Sequence, residues 1–182
     1  MIWSWPRRFF ARARQHDEEE YVVSRTRVGI GYDVHALEKG LSLMLGCVHF
    51  ADAEAGLRGH SDADVVAHAV CDAILGAVGM GDIGDHFPPD QPRWKDYPGK
   101  EFLAAVAGMA RDAGYEIGNV DCVVMCDAIN LGPRKRTMAG AMAEALAIDA
   151  DAINVKATTF EGHGAVGRGE VIACEAIALL TR

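Results

Sequence analysis

From residues 27 to 32 apolar side chains stand at every second position, Val28, Ile30 and Tyr32. That period predicts a strand, and it opens the folded part of the chain near Thr26. The apolar runs 41–45 and 47–50 predict a second strand or a hairpin, and 56–61 reads as a loop. The rhythm then changes. Val65, Val66, Ala69, Val70, Ala73, Ile74 and Ala77 recur at the spacing of a helical stripe. Ser61 offers a natural N-cap with Asp64 as its capping-box partner, and Gly79 and Gly81 end the helix. Residues 82–99, rich in Gly, Pro and Asp, read as a long loop. A second helix is predicted over 100–114, stopped by Gly114. A strand follows over 119–126, a third helix over 134–147 and a strand over 154–159. A Gly-rich loop covers 161–169, and an apolar strand over 170–180 closes the chain. The order β-β-α-α-β-α-β-β places the chain in the α/β (α+β) class, with no internal repeat.

At 182 residues the chain fits one domain, 27–182, preceded by an N-terminal extension, 1–26. The first fifteen residues carry Trp3, Trp5, Phe9 and Phe10 among four arginines with no acid, and an acidic run from Asp17 to Glu20 follows. The segment reads first as a poorly ordered extension, and otherwise as a basic surface segment or an organelle leader of plastid type. No apolar run reaches the ~20 residues that span a bilayer. A net charge of −8 argues against non-specific nucleic-acid binding. A phosphorylated ligand remains compatible if positive charge is gathered locally. Five cysteines, Cys47, Cys71, Cys122, Cys126 and Cys174, without a CxxC pair, form neither a disulfide framework nor a zinc-finger pattern. They read as small reduced thiols in a cytoplasmic protein.

The candidate chemistry centres on Asp33, His35 and His68. Asp33 and His35 lie two apart on a strand, so their side chains project the same way. His68 lies on the first helix, with Asp64 and Asp72 four residues to either side on the same face. One of these carboxylates could orient the His68 ring. Three protein ligands leave a coordination position open, as in a catalytic rather than a structural zinc site. His49, His86 and His163 read as surface or satisfied core residues. Three further features suit phosphate: His60-Ser61 before a helix, the 81–84 Gly-Asp-Ile-Gly turn, and the stretch 156–170, which joins hydroxyls, Glu161 and Arg168 around a Gly-rich turn.

Together the stretches DVH, HSDAD-VVAH, GDIGDHFPP, NVD, NVKATT and GRGE-IACEA-ALL, in that order from about Arg27 onwards, closely resemble the 2-C-methyl-D-erythritol 2,4-cyclodiphosphate synthase family. The resemblance implies a four-stranded mixed sheet with helices on one face. It also implies a homotrimer around a central channel, with active sites between subunits. It implies a cytidine-diphosphate substrate, 4-diphosphocytidyl-2-C-methyl-D-erythritol 2-phosphate. The 2-phosphate attacks the β-phosphorus, CMP leaves, and a cyclic diphosphate forms in the non-mevalonate route to isoprenoids. By the same resemblance Asp33, His35 and His68 hold zinc, and Glu161 helps hold Mg²⁺ or Mn²⁺. His60 and Thr159 stabilise the transition state. Ser61, Asp82 and Gly84 contact the methylerythritol phosphate, and Ile83 and Phe87 also bind substrate. Cys126, Asp127, Ala128, Leu131, Gly132 and Thr158 form the cytidine pocket, with Ala165 and Arg168 as further ligand contacts.

The chain departs from the family pattern in places. Ala128-Ile129-Asn130 stands where Ala-Pro-Lys is common, with Arg134 or Lys135 as nearby substitutes for the missing lysine. Ala165-Val166 replaces a frequent Phe-Thr, and Pro89 a frequent Asp. Two other readings stay open: a zinc-dependent phosphohydrolase, and a non-catalytic trimer that binds nucleotides or isoprenoid diphosphates. The domain also occurs fused to a cytidylyltransferase, and 182 residues leave no room for that second enzyme.

Overall fold

The computed structural model describes residues 25–182, so nearly all of the expected extension lies outside the described residues. Strand β1 (Thr26–Lys39) is longer than its alternating start suggests, because its second half trades apolar residues for the site's polar ones. It pairs antiparallel with β7 (Val171–Thr181), from Thr26 opposite Thr181 to Ala36 opposite Val171. On the other side of β7 lies β5 (Glu116–Met125), also antiparallel, and β6 (Ile153–Thr158) runs parallel to β5 at the edge. The parallel pair requires a crossover, supplied by helix α4 (Lys135–Leu146).

The sheet has five strands where four were expected. The extra one, β4 (Ala55–Leu57), pairs with Leu37–Lys39 at the far end of β1, giving the order β4-β1-β7-β5-β6. Three residues are too few to show alternation, so this strand read as the start of a loop. The hairpin expected between 41 and 50 is present in miniature as β2 (Met44–Leu45) and β3 (Val48–His49). The stretch 82–99 is more than a loop: it holds a one-turn helix α2 (Ile83–His86) and a 3-10 turn at Pro92–Trp94. Helix α3 (Gly99–Asp112) follows it, and the Gly-rich loop before β7 carries a further turn, α5 (Gly164–Gly167).

Helix α1 (Val65–Val78) is the core of the domain, and ten of its residues are buried. It lies across β1 and β7, with α3 against its outer side. Two glycines make that contact close. A methyl group at Gly29 would stand 1.9 Å from the Ala73 carbonyl oxygen, and one at Gly31 would stand 2.0 Å from that of Ala69. Helix backbone therefore rests on strand backbone, and the glycines alternate with Val28, Ile30 and Tyr32. The apolar alternation seen in the sequence thus marks the opposite face. Val28, Ile30, Tyr32 and Val34 are 45–63% exposed there, with Ile177 beside them.

The cap of α1 is Asp64, not Ser61. Its carboxylate accepts from Val66 and Ala67 in the first turn and from Gly46 and Cys47 of the β2–β3 hairpin, at 2.6–3.1 Å. It is fully buried, so it is neither a solvated surface charge nor a partner for the histidine four residues on.

Candidate metal centre and its cavity

Because odd-numbered residues of β1 face α1, Asp33 and His35 project towards that helix, and the close glycine contact brings His68 to meet them. Asp33 Oδ2 lies 2.9 Å from His35 Nε2 and 3.0 Å from His68 Nδ1, and the two nitrogens are 3.2 Å apart. Each ring is fixed from behind. His35 Nδ1 lies 2.9 Å from the Arg58 carbonyl, which can only accept, so this nitrogen carries a proton. In the neutral ring Nε2 then presents a lone pair to the site. His68 Nε2 lies 3.0 Å from the Ser61 hydroxyl oxygen, which leaves His68 Nδ1 as the lone pair when Nε2 donates. The orienting partner of His68 is therefore Ser61, and neither Asp64 nor Asp72.

Three acceptors thus converge on one point, an arrangement that a cation relieves. Their separations approach the ~3.3 Å edge of a tetrahedron built on metal bonds of about 2.0 Å. The three residues are the one group of metal-ligand type found among the described residues. Without a cation, protons serve instead. Burial pushes the Asp33 carboxyl up, but hydrogen bonds and charge from His35 and His68 outweigh it and hold the group well below the usual carboxylate range. Burial pushes His35 down, and the Asp33 hydrogen bond and charge outweigh that and raise it.

The triad opens onto a cavity of about 310 Å³ whose lining includes His60, Ser61, Asp72, Ile83, Gly84 and Phe87. Pro89, noted above as a departure from the family pattern, completes an apolar wall with Trp94 and Phe102, which the sequence did not single out. Phe87, Trp94, Tyr97 and Phe102 pack edge-on or tilted, with ring centres 4.9–6.1 Å apart. Asp82 caps α2, sharing a capping box with Asp85. Asp72 accepts from the Ile83 amide at 2.8 Å. Burial raises its carboxyl, the Ile83 bond opposes this, and the charges of Asp82 and Asp33 add to it.

The other expected site residues form a second group at the ends of β5 and β6, and they do not line this cavity. Cys126 is buried, and its amide donates to the Thr158 carbonyl. Asp127 accepts from the Phe160 and Gly162 amides at 2.6 and 3.2 Å, anchoring the turn that carries Glu161. Thr159 donates to Glu161 at 2.6 Å, with Glu161 at a positive φ of 51°. Ala128 packs near Gly169, Leu131 is buried, and Ala165 is the second residue of α5. Arg168 forms a two-pronged pair with Glu170 at 2.8 and 3.0 Å. Asn130, in place of lysine, accepts from the Gly132 amide at 3.0 Å and so closes the loop on itself. Of the candidate substitutes, Arg134 is held by Asp52 at 2.6 Å, and Lys135 lines a separate groove beside Asp151 and Asn154.

The YgbB family model matches residues 26–181. The chain is 49% identical over 156 residues to the 2-C-methyl-D-erythritol 2,4-cyclodiphosphate synthase of Xanthomonas axonopodis pv. citri, covering 86% of this chain and 93% of that one. The chain belongs to the 2-C-methyl-D-erythritol 2,4-cyclodiphosphate synthase (YgbB) family. Another family relative, the bifunctional enzyme IspD/IspF of Erythrobacter litoralis, is 50% identical over 156 residues, 86% of this chain, which spans 40% of that longer protein. Among solved family structures, the IspF of Plasmodium falciparum in complex with CDP matches with a TM-score of 0.74 at 32% identity, over 85% of this chain and 95% of that one.

Proposed function

We propose that this protein is the cyclodiphosphate synthase, a metal-dependent phosphorus–oxygen lyase of the non-mevalonate pathway. It converts 4-diphosphocytidyl-2-C-methyl-D-erythritol 2-phosphate to 2-C-methyl-D-erythritol 2,4-cyclodiphosphate and CMP. The observation that carries the reading is the convergence of Asp33, His35 and His68 at the mouth of a cavity whose other walls hold the family's substrate contacts. Two imidazoles and one carboxylate suit zinc, and a fourth position is left for substrate. A zinc ion held there would polarise a phosphate oxygen of the substrate.

The chain's own residues do the rest. Arg58 and Ser61 keep the imidazoles aimed, so the ligands need little reorganisation. His60 and Thr159 stabilise the charge that develops as the 2-phosphate oxygen bonds to the β-phosphorus and the bond to CMP breaks. Ser61, Asp82, Ile83, Gly84 and Phe87 seat the methylerythritol. Cys126, Asp127, Ala128, Leu131, Gly132 and Thr158 seat the cytidine, and Ala165 and Arg168 make the outer contacts. Glu161 would help hold Mg²⁺ or Mn²⁺, which would offset the negative charge of the diphosphate. The nucleophile is already ionised near neutral pH, so no general base is required, and positioning with charge neutralisation carries the rate.

Two groups of site residues on one chain fit an active site completed by a neighbour. The helix-free sheet face, with Val28, Ile30, Tyr32, Val34 and Ile177 exposed, supplies an apolar surface for a homotrimer around a channel. Five free thiols fit a cytoplasmic location. The proposed synthase domain is 27–182, one residue inside the start of β1 at Thr26.

The test is CMP release by the purified protein. Turnover should disappear after chelation and return with zinc plus Mg²⁺, and His35→Ala should lose both zinc and turnover while staying folded. Equal CMP release from the zinc-free protein removes this mechanism.

A further inference from the structure

Asp72 stands one turn beyond His68 on α1, and the mechanism above does not use it. Its side chain shares the cavity wall with Asp33, His35 and His68, and one carboxylate oxygen accepts from the Ile83 amide at 2.8 Å. The segment it reaches is otherwise tied mostly to itself. Asp82 accepts from the Asp85 amide at 3.1 Å, and Asp85 accepts from the Asp82 amide at 3.3 Å. His86 bonds to the Met80 carbonyl at 2.8 Å, and the Phe87 amide donates to Ile83 at 2.9 Å. The start of the segment hangs from the end of α1 through the Met80 amide on Leu75. Past that point, Asp72 makes the side-chain hydrogen bond that joins it to α1 among the described residues.

Asp72 is itself well placed to hold a fixed position. A methyl group at Gly31 would stand 2.9 Å from its Cβ, so strand and helix leave no slack at this point. The bond is charge-assisted and half-buried, which makes it stronger than an ordinary amide contact.

We propose that Asp72 is a positioning residue: its carboxylate latches the Asp82–Gly84 segment to the metal-bearing helix, so that substrate contacts and metal ligands share one rigid frame. The identity of the substrate rests on the cyclase reading; the latch does not.

The test uses the zinc-loaded protein with Asp72→Ala and Asp72→Asn. In Asp72→Ala, hydrogen exchange at the Ile83 amide should rise about tenfold or more. KM for the diphosphocytidyl substrate should rise at least fivefold, with kcat within threefold and zinc affinity within threefold. Asn keeps an acceptor oxygen on the same stem, so Asp72→Asn should bring exchange and KM back to within threefold of wild type. Unchanged Ile83 exchange in Asp72→Ala overturns the latch. So does an unchanged KM beside raised exchange, or a zinc affinity that falls in step with KM. A wild-type protein that does not turn over the substrate sinks the cyclase reading instead, and the exchange and zinc measurements still decide the latch.

Discussion

At the scale of single residues, two side chains beside the metal triad have unlike tasks. Ser61 touches His68 Nε2 and fixes which nitrogen faces Asp33. Ser61→Ala should weaken zinc binding about 10–100-fold, read by competition with a chromophoric chelator, with little change in thermal stability. Asp64 serves the fold instead. It is buried and accepts four backbone amides, two in α1 and two in the hairpin. Asp64→Ala orphans all four and should cost about 3–5 kcal/mol in urea denaturation. The pairing of Asp33 with His35 was legible in the sequence, because residues two apart on a strand share a face, and the structure brings His68 of α1 to meet them. Their orienting partners were not legible. The Arg58 carbonyl carries no sequence signal, and Ser61 resembled a helix cap until the actual cap proved to be Asp64. Asn130 shows the same limit, since only the folded loop reveals that its carbonyl replaces a lysine's outward reach with an inward bond to Gly132.

At the scale of elements, the site depends on how closely α1 approaches β1. Gly31→Ala places a methyl group 2.0 Å from the Ala69 carbonyl and 2.7 Å from the Ala73 amide. The helix must lift, at about 3 kcal/mol in thermal or urea unfolding. His68 lifts with it, so zinc affinity should fall at least tenfold. A variant that binds zinc like wild type would disprove this link between packing and ligation. Most long elements were legible from their periods: α1, α3, α4 and the strands β5 and β7 lie within a few residues of where the pattern puts them, while β1 starts where expected but runs on to Lys39. The short ones were not. β4 is three residues and α2 four, too brief for a period; β4 is held by its pairing with Leu37–Lys39, and α2 by its own capping box and the Asp72 bond. The face of β1 that packs on the helix also carried no apolar signal, since at Gly29 and Gly31 the residues facing α1 have no side chains.

At the scale of the whole molecule, one face of the sheet lacks a helix, and along β1 and the neighbouring part of β7 it carries exposed apolar side chains. Ile30, 63% exposed in the single chain, sits at its centre. Ile30→Asp should leave the subunit's fold within about 0.5 kcal/mol of wild type. In sedimentation velocity it should turn a trimer into monomers, and because the two groups of site residues would then separate, turnover should go with it. An unchanged sedimentation coefficient would show that this face is not the interface. The central claim concerns the reaction itself. The most direct measurement is phosphorus NMR of the zinc- and Mg²⁺-loaded protein with 4-diphosphocytidyl-2-C-methyl-D-erythritol 2-phosphate. The account predicts two mutually coupled signals of a cyclic diphosphate growing in step with CMP; open-chain phosphates, or substrate signals that never change, would contradict it.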